Sequence, residues 1–212
     1  VQEGELAGLE MDLMRRLGRE LKRPVTAVPL PWEEQMDALV AGKIDIIMSG
    51  MSVTDARKVK IGFTDPWMKS GQMAMMRRAD AAAITSVDHV RNFSGNIGVL
   101  PNTTSQDWAK RNCPNARLIK IASAADAGIQ LQKKRIDLFI HDIPSIAWQV
   151  ASNEAELAPL LIPLEREDIA WGVRRGDAEL TAQINQLIKA WQEDGSLEEA
   201  ILAWIPYYAK LK

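Results

Sequence analysis

Leu39-Val40-Ala41-Gly42-Lys43-Ile44-Asp45-Ile46-Ile47-Met48 closes a helix on a glycine, passes a basic turn and enters an apolar run of strand length. Trp32, Met36, Leu39 and Val40 have the i, i+4, i+7, i+8 spacing of one helix face, and Gly42 sits where helix ends favour glycine. The same grammar returns 92 residues further on, where Leu131-Gln132-Lys133-Lys134-Arg135-Ile136-Asp137-Leu138-Phe139-Ile140 aligns to it without a gap. Shared helix-turn-strand chemistry accounts for one such match, and two similar α/β lobes account for it equally. If there are two lobes, the residues after each strand matter: Ser49-Gly50-Met51-Ser52 after the first, His141-Asp142 after the second. Ligands of open α/β sheets gather beyond the carboxyl ends of strands, which would put Gly50 and Asp142 on opposite walls of one cleft.

Outward from these two stretches, strand and helix patterns alternate. Leu9, Leu13, Leu17 and Leu21 form a helical stripe, and Val25–Val28 reads as a short strand. Later strands are expected over Ile97–Leu100, Leu118–Ile121, Ile136–Ile140 and Ile169–Val173, and helices over Ser123–Lys133, Leu180–Trp191 and Leu197–Trp204. Such alternation predicts an α/β fold with largely parallel sheets.

The 212 residues suffice for one large domain or two small ones with a real core. An apolar fraction of 47% and a charged fraction of 25% are ordinary for a globular chain and exclude disorder, collagen and coiled coil. A net charge of −2 argues against a nucleic-acid partner or an anionic membrane surface, and no apolar run is long enough to insert in a bilayer. Cys113 is the only cysteine and His89 and His141 the only histidines, so no disulfide, metal centre or cofactor is expected. The first five residues, Val1 to Glu5, carry no leader-like pattern.

Three polar clusters follow expected strands. In the first, Thr54 is placed to cap a short helix that carries Arg57, whose guanidinium fork matches a carboxylate; pairing with a surface acid uses the same group. In the second, Asn102-Thr103-Thr104-Ser105 offers free backbone N–H groups and two hydroxyls at a helix start, an anion seat or a plain cap. In the third, Asp142 either caps the next helix or waits as a carboxylate for a cation. No Walker loop, nucleophile elbow, zinc-protease helix or dinucleotide fingerprint is present, so no catalytic residue is expected. Together the clusters describe a receptor for a zwitterion. Arg57, Thr103 and Thr104 would take a carboxylate, and Asp142, the Gly50 carbonyl and the Ser52 hydroxyl would take an ammonium, with Trp32 as an apolar wall.

In order and spacing, the motifs resemble the bacterial extracellular solute-binding proteins of family 3, the polar amino-acid class that serves ABC importers. Gly8-Leu9-Glu10-Met11-Asp12-Leu13 is similar to the family's G-f-d-v-D-l, Gly50 to Arg57 to its G-m-t-i-T-x-x-R, and Phe63-Thr64-Asp65-Pro66-Trp67 to F-S-D-P-Y. Ile97-Gly98-Val99 with Asn102-Thr103-Thr104 is similar to v-G-V-x-x-G-T-T, Ile136 to Asp142 to v-D-a-x-v-x-D, and Asp194-Gly195-Ser196-Leu197 to D-G-t-l. The resemblance implies a type II periplasmic-binding-protein fold. Two lobes, each a mostly parallel sheet flanked by helices, would be joined by a two-strand hinge near Trp67–Gly71 and Leu164–Ile169. Lobe 1 would span residues 1–70 and 170–212, with its first strand lying upstream of the chain, and lobe 2 residues 71–169.

The resemblance further implies that the ligand is an amino acid or related carboxylated molecule. Arg57, Thr103 and Thr104 would hold its carboxylate and Gly50, Ser52 and Asp142 its amino group. Trp32, Ser49, Leu100, Pro101 and His141 would line its side-chain pocket. The partner would be the membrane permease of an ABC importer, and the protein would be periplasmic or extracellular, leader removed, and monomeric. Asn102 stands where the family has glycine, and Pro101 where relatives place a polar contact, so the pocket leans away from strongly basic side chains. Two other readings share the fold: a cyclohexadienyl-dehydratase-like enzyme, with Glu10 or His141 as its acid, and a sensing module of a larger receptor or lytic transglycosylase. Met73, Met75 and Met76 read as core, and Trp191 and Trp204 as packing on the first lobe.

Overall fold

The computed structural model describes residues 6–205 and Tyr208, so the readings that touch residues 1–5 and 209–212 lie outside the described residues. The chain forms two compact units: one runs to Lys69 and resumes at Asp168, the other holds Ser70–Glu167 with Tyr208. The first unit begins with α1 (Leu9–Leu21), α2 (Gln35–Val40), β1 (Ile46–Ile47), α3 (Asp55–Lys60) and β2 (Gly62–Phe63). The second contains most of β3 (Met68–Arg77), then α4 (Val87–Arg91), β4 (Asn96–Val99), α5 (Thr104–Asn112), β5 (Arg117–Lys120) and α6 (Ala124–Gln132). It continues through β6 (Leu138–Asp142), α7 (Ile143–Ala151), β7 (Leu157–Pro159) and most of β8 (Glu165–Ile169). The chain then returns to the first unit for β9 (Gly172–Val173), α8 (Ala178–Glu193) and α9 (Ser196–Trp204).

In the second unit the strand order is β5-β4-β6-β3-β7, with β8 also on β3. Its middle strands are buried on both faces. Ala74 and Met76 of β3 enter one core with Val90, Ile97, Val99, Trp108 and Leu138, while Met73 and Met75 enter the other with Leu131, Phe139 and Ile146. Period-2 alternation here divides two apolar cores, which is why the methionine run shows no polar face. In the first unit β1 and β2 flank β9. The stripe of α1 buries Leu13 and Leu17. The indole N–H groups of Trp191 and Trp204 donate to Glu20 and Asp12 on that helix, at 2.9 Å or less.

The sheets are mixed, which corrects the expectation of mostly parallel ones. β9 runs antiparallel to β1 and β2, and β3 antiparallel to β6 and β7, while the β4–β5 and β4–β6 pairs are parallel. β3 spans the first crossing between units and β9 follows the second, and each runs against the neighbours just named. Val25–Val28 belongs to no strand. The expected strand Ile169–Val173 breaks at Ala170-Trp171 into the end of β8 and all of β9.

The internal repeat extends into three dimensions. At the end of α2, Ala41, Gly42 and Lys43 donate their N–H groups to Asp37, Leu39 and Ala38; at the end of α6, Lys133, Lys134 and Arg135 donate to Ile129, Leu131 and Gln130. Gly42 (φ 71°) and Lys134 (φ 54°) take the same left-handed cap position. Arg174 then donates to the Ile44 carbonyl and Asp45, and Arg77 to the equivalent Ile136 carbonyl and Asp137. The copies differ in enclosure. Asp137 also accepts the Asn96 N–H at 2.9 Å and its side chain is 33% exposed, against 75% for Asp45. Asp137→Ala is therefore expected to cost about 1–2 kcal/mol, from two charge-assisted bonds lost in a half-buried place, and Asp45→Ala about 0.5 kcal/mol or less. Urea unfolding of both variants measures the difference; equal costs would contradict it.

Candidate functional site

In the first unit, Thr54 caps α3 by accepting the Arg57 N–H at 3.2 Å. This fixes the start of the helix that carries the guanidinium. The Arg57 side chain turns back, donates Nη1 to the Ser52 carbonyl at 2.8 Å and lies over the Trp32 ring at 5.1 Å from its centroid. A cation over an indole face is favourable and keeps the planar fork oriented. Ser52 is buried and bridges Ile169 in antiparallel fashion, while Met51 and Val53 bond Ala170 and Asp168. Ser49 donates its hydroxyl to Gln35 at 2.6 Å. Trp32, Ser52 and Arg57 are thus brought together, and Ser49 and Gly50 sit on the same loop.

Gly50 has φ 65°, and its N–H donates to Glu10 Oε1 at 2.8 Å. Glu10 Oε2 accepts the Trp171 indole N–H at 2.9 Å. Trp171 is fully buried, between Trp67 and Trp191 at ring separations of 6.1 and 6.3 Å. Burial pushes the Glu10 carboxyl up to about 7, against the opposing pull of its two hydrogen bonds. A groove of about 860 Å³ in this unit is lined by Glu10, by residues 24–30 and by the β1 segment Ile44–Ser49. That groove separates Val25–Val28 from β1, so the expected strand has no ladder to join. Trp32, Ser52 and Arg57 do not line the groove, which distinguishes it from the polar cluster.

In the second unit, Thr103 is the N-cap of α5. Its hydroxyl accepts the Gln106 N–H at 3.2 Å and donates to the Leu100 carbonyl at 2.8 Å. Asn102 takes the left-handed conformation (φ 58°), as expected of the residue standing at the family's glycine. Thr104 donates to Glu167 at 3.2 Å. Asp142 ends β6 at the N-cap position of α7, and its side chain makes no capping bond, which removes the plain-cap reading. His141 Nδ1 is 3.8 Å from an Asp142 oxygen and the ring meets Phe139 edge-on. Burial lowers the His141 pKa to about 4, so the imidazole is neutral at physiological pH. Thr103 is joined to Leu100, and Asp142 to His141; Thr104 is joined to a residue outside the expected set.

That residue is Glu167, which accepts from both Thr104 and the buried Gln72 amide, at 3.2 and 3.0 Å, and raises the pull on the His141 proton. Within Glu165-Arg166-Glu167-Asp168 it looks like one solvated charge among four, and the only signal available was its place in the expected hinge stretch. No group of three or more metal-ligating side chains occurs among the described residues, and no helix among them is long and apolar enough to cross a membrane.

Residues 1–207 match the family model of bacterial extracellular solute-binding proteins, family 3, and the chain belongs to that family. It is 23% identical to the L-cystine-binding protein TcyJ of Escherichia coli over 95% of this chain and 75% of that one. It is 26% identical to an L-arginine-binding protein of Pseudomonas aeruginosa, over 93% and 78%. A cyclohexadienyl dehydratase of Pseudomonas aeruginosa is 22% identical over 97% and 77%. Among solved structures, the ancestral amino acid-binding protein AncCDT-1, a precursor of cyclohexadienyl dehydratase, superposes with TM-score 0.88 at 30% identity, covering 97% of this chain and 88% of that one. A lysine complex of an ABC-transporter binding component from Wolinella succinogenes superposes at 0.91 with 24% identity and the same coverage. The fold is that of type II periplasmic binding proteins.

Proposed function

We propose that this protein captures a free amino acid outside the cytoplasmic membrane, in the periplasm or extracellular space, and delivers it as a monomer to the membrane permease of an ABC importer. The ligand's carboxylate is taken by Arg57 with the Thr103 and Thr104 helix start, and its ammonium by Asp142, the Gly50 carbonyl and Ser52. Trp32, Ser49, Leu100 and His141 line the side-chain pocket. The observation that carries this reading is the Arg57 guanidinium, held over Trp32 and anchored by the Ser52 carbonyl. Five donors in a fixed fork, steadied on an aromatic face, suit bidentate capture of a carboxylate. Family membership and the amino-acid binders among its relatives support the same ligand class. An apolar wall of Trp32, Leu100 and Pro101 favours an uncharged side chain over a basic one.

No catalytic residue is proposed: the two oxygens of Glu10 are spent on Gly50 and Trp171, and His141 is buried and neutral. A thermal-shift screen of the twenty standard amino acids tests the reading. At about a hundredfold excess over Kd the ligand adds roughly 2.7 kcal/mol, which in a chain of this size raises Tm by roughly 5–10 °C. No shift with any amino acid, together with turnover of prephenate or arogenate, would replace the binder with the dehydratase.

A further inference from the structure

The loop that carries Gly50 is tied at one end by the Ser52–Ile169 bridge and at the other by Ser49 on Gln35. In its middle Glu10 reaches it from the first turn of α1. Both oxygens of Glu10 accept an N–H, one from the loop and one from the buried Trp171, so a single carboxylate couples the Gly50 peptide to the Trp67–Trp171–Trp191 stack. With the N–H of Gly50 fixed, rotation of the Ser49–Gly50 peptide plane is blocked and the loop is pinned immediately before the Gly50 carbonyl proposed for the ammonium seat. We propose that Glu10 is a positioning residue for the ammonium seat: its ionised carboxylate holds the Gly50 loop in the ligand-receiving conformation, so amino-acid affinity falls on acidification. The proposal deepens the functional reading above and rests on it.

The chemistry follows from donor counting. A carboxylate offers two acceptors to two N–H groups. A carboxylic acid turns one oxygen into a hydroxyl, which is an uncharged and poorer acceptor, so either the Gly50 or the Trp171 bond is weakened. The carboxyl's pKa of about 7 places that exchange in the neutral range. Burial raises it, and the hydrogen bonds from Gly50 and Trp171 offset part of that rise. The other ionisable groups along the groove are Arg23, Lys43, Asp45, Arg174, Asp177 and Glu179. Arg174 is engaged by Asp45, Asp177 and the Ile44 carbonyl. Beyond Trp171, Arg16 and Glu20 pair with each other at Trp191, and Asp12 and Arg15 pair one turn along α1. His141, with its pKa near 4, does not change charge between pH 5.5 and 8.

Two measurements on the whole protein test this. In the unliganded protein, the Trp171 indole N–H resonance, assigned with Trp171→Phe, is expected to titrate with a midpoint near 7 and to stop titrating in Glu10→Gln. By calorimetry, the tightest binder among the twenty standard amino acids is expected to lose roughly ten- to thirtyfold in affinity between pH 8 and 5.5. Circular dichroism checks that the fold persists at pH 5.5. Glu10→Gln is expected to flatten that profile near the acidic affinity. Wild-type binding that stays flat with pH overturns the role of Glu10 and leaves the functional reading standing, whether or not the variant folds. Absence of amino-acid binding at every pH overturns the functional reading itself.

Discussion

Replacing Arg57 by alanine is expected to weaken amino-acid binding by at least about a hundredfold while the protein stays folded. Hydrogen bonds to charged groups contribute roughly 1.5–3 kcal/mol each, and a forked pair to a carboxylate lost together costs roughly 3 kcal/mol or more, about two decades in Kd. The residual effect on the fold is smaller. Among the contacts Arg57 gives up are its bond to the Ser52 carbonyl and its place over Trp32. The Thr54 cap on α3 uses the backbone N–H of residue 57 and survives the change. Arg57→Lys separates charge from geometry: a point charge on a flexible stem keeps the Coulombic attraction and loses the fork, so it is expected to retain less than a tenth of the affinity. Calorimetry at pH 8 on all three proteins, with Tm as the control for folding, measures the series. An Arg57→Ala protein that binds within threefold of the parent would remove the guanidinium from the carboxylate seat.

The interplay of burial and function at Glu10 gives the site a cost. Its carboxyl is raised from the ordinary glutamate range to about 7, so its contribution to folding is fully present below the unfolded value and is lost as pH rises through 7. At pH 8 the ionised group therefore costs on the order of 3 kcal/mol of stability relative to the acid. Yet the ionised form is the stronger acceptor for both N–H donors. A strained or poorly solvated group retained at a binding loop is the usual form of this trade.

What the sequence made legible follows the range over which each interaction acts. The α1 stripe, the Gly42 turn and its counterpart at Lys134 are local, and they stand in the structure with the same hydrogen bonds 92 residues apart. The Thr54–Arg57 cap and the left-handed Asn102 are local too. Strand direction is not: an apolar run such as Met73–Met76 looks the same whichever way its neighbours run. Val25–Val28 has strand composition, but a strand exists only where another edge lies beside it, and a groove lies there instead. At the break at Ala170-Trp171 the partners are distant in sequence: the Trp171 N–H donates to the Thr64 hydroxyl and its indole to Glu10, 161 residues away. Glu167 was hidden for a similar reason. Its meaning comes from Thr104 and Gln72, far along the chain, and not from the acids beside it.

Gly71→Ala is expected to damage stability severely. A Cβ built at residue 71 would fall 2.1 Å from the Glu165 carbonyl oxygen and 3.1 Å from the Arg166 Cα, both backbone atoms. Flexible side chains can swing aside from such an intrusion, but these atoms cannot. They belong to β8, which lies on β3, and the neighbouring Leu164 N–H bonds the Gln72 carbonyl at 2.7 Å. Relief therefore requires the two strands to part. Overpacking of this kind costs about 1–3 kcal/mol where side chains yield and more where backbone must move, so a loss of roughly 3 kcal/mol is expected, or roughly 6–12 °C in Tm. The parting would also strip Glu167 of its Gln72 partner, and through it Thr104 of a fixed acceptor. Affinity measured well below the variant's own Tm should therefore fall as well, by more than the unfolded fraction accounts for. Thermal unfolding and calorimetry at 15 °C together test both parts. A Gly71→Ala protein melting within 2 °C of the parent would mean that β3 and β8 do not approach as closely in solution as the 2.1 Å clash requires.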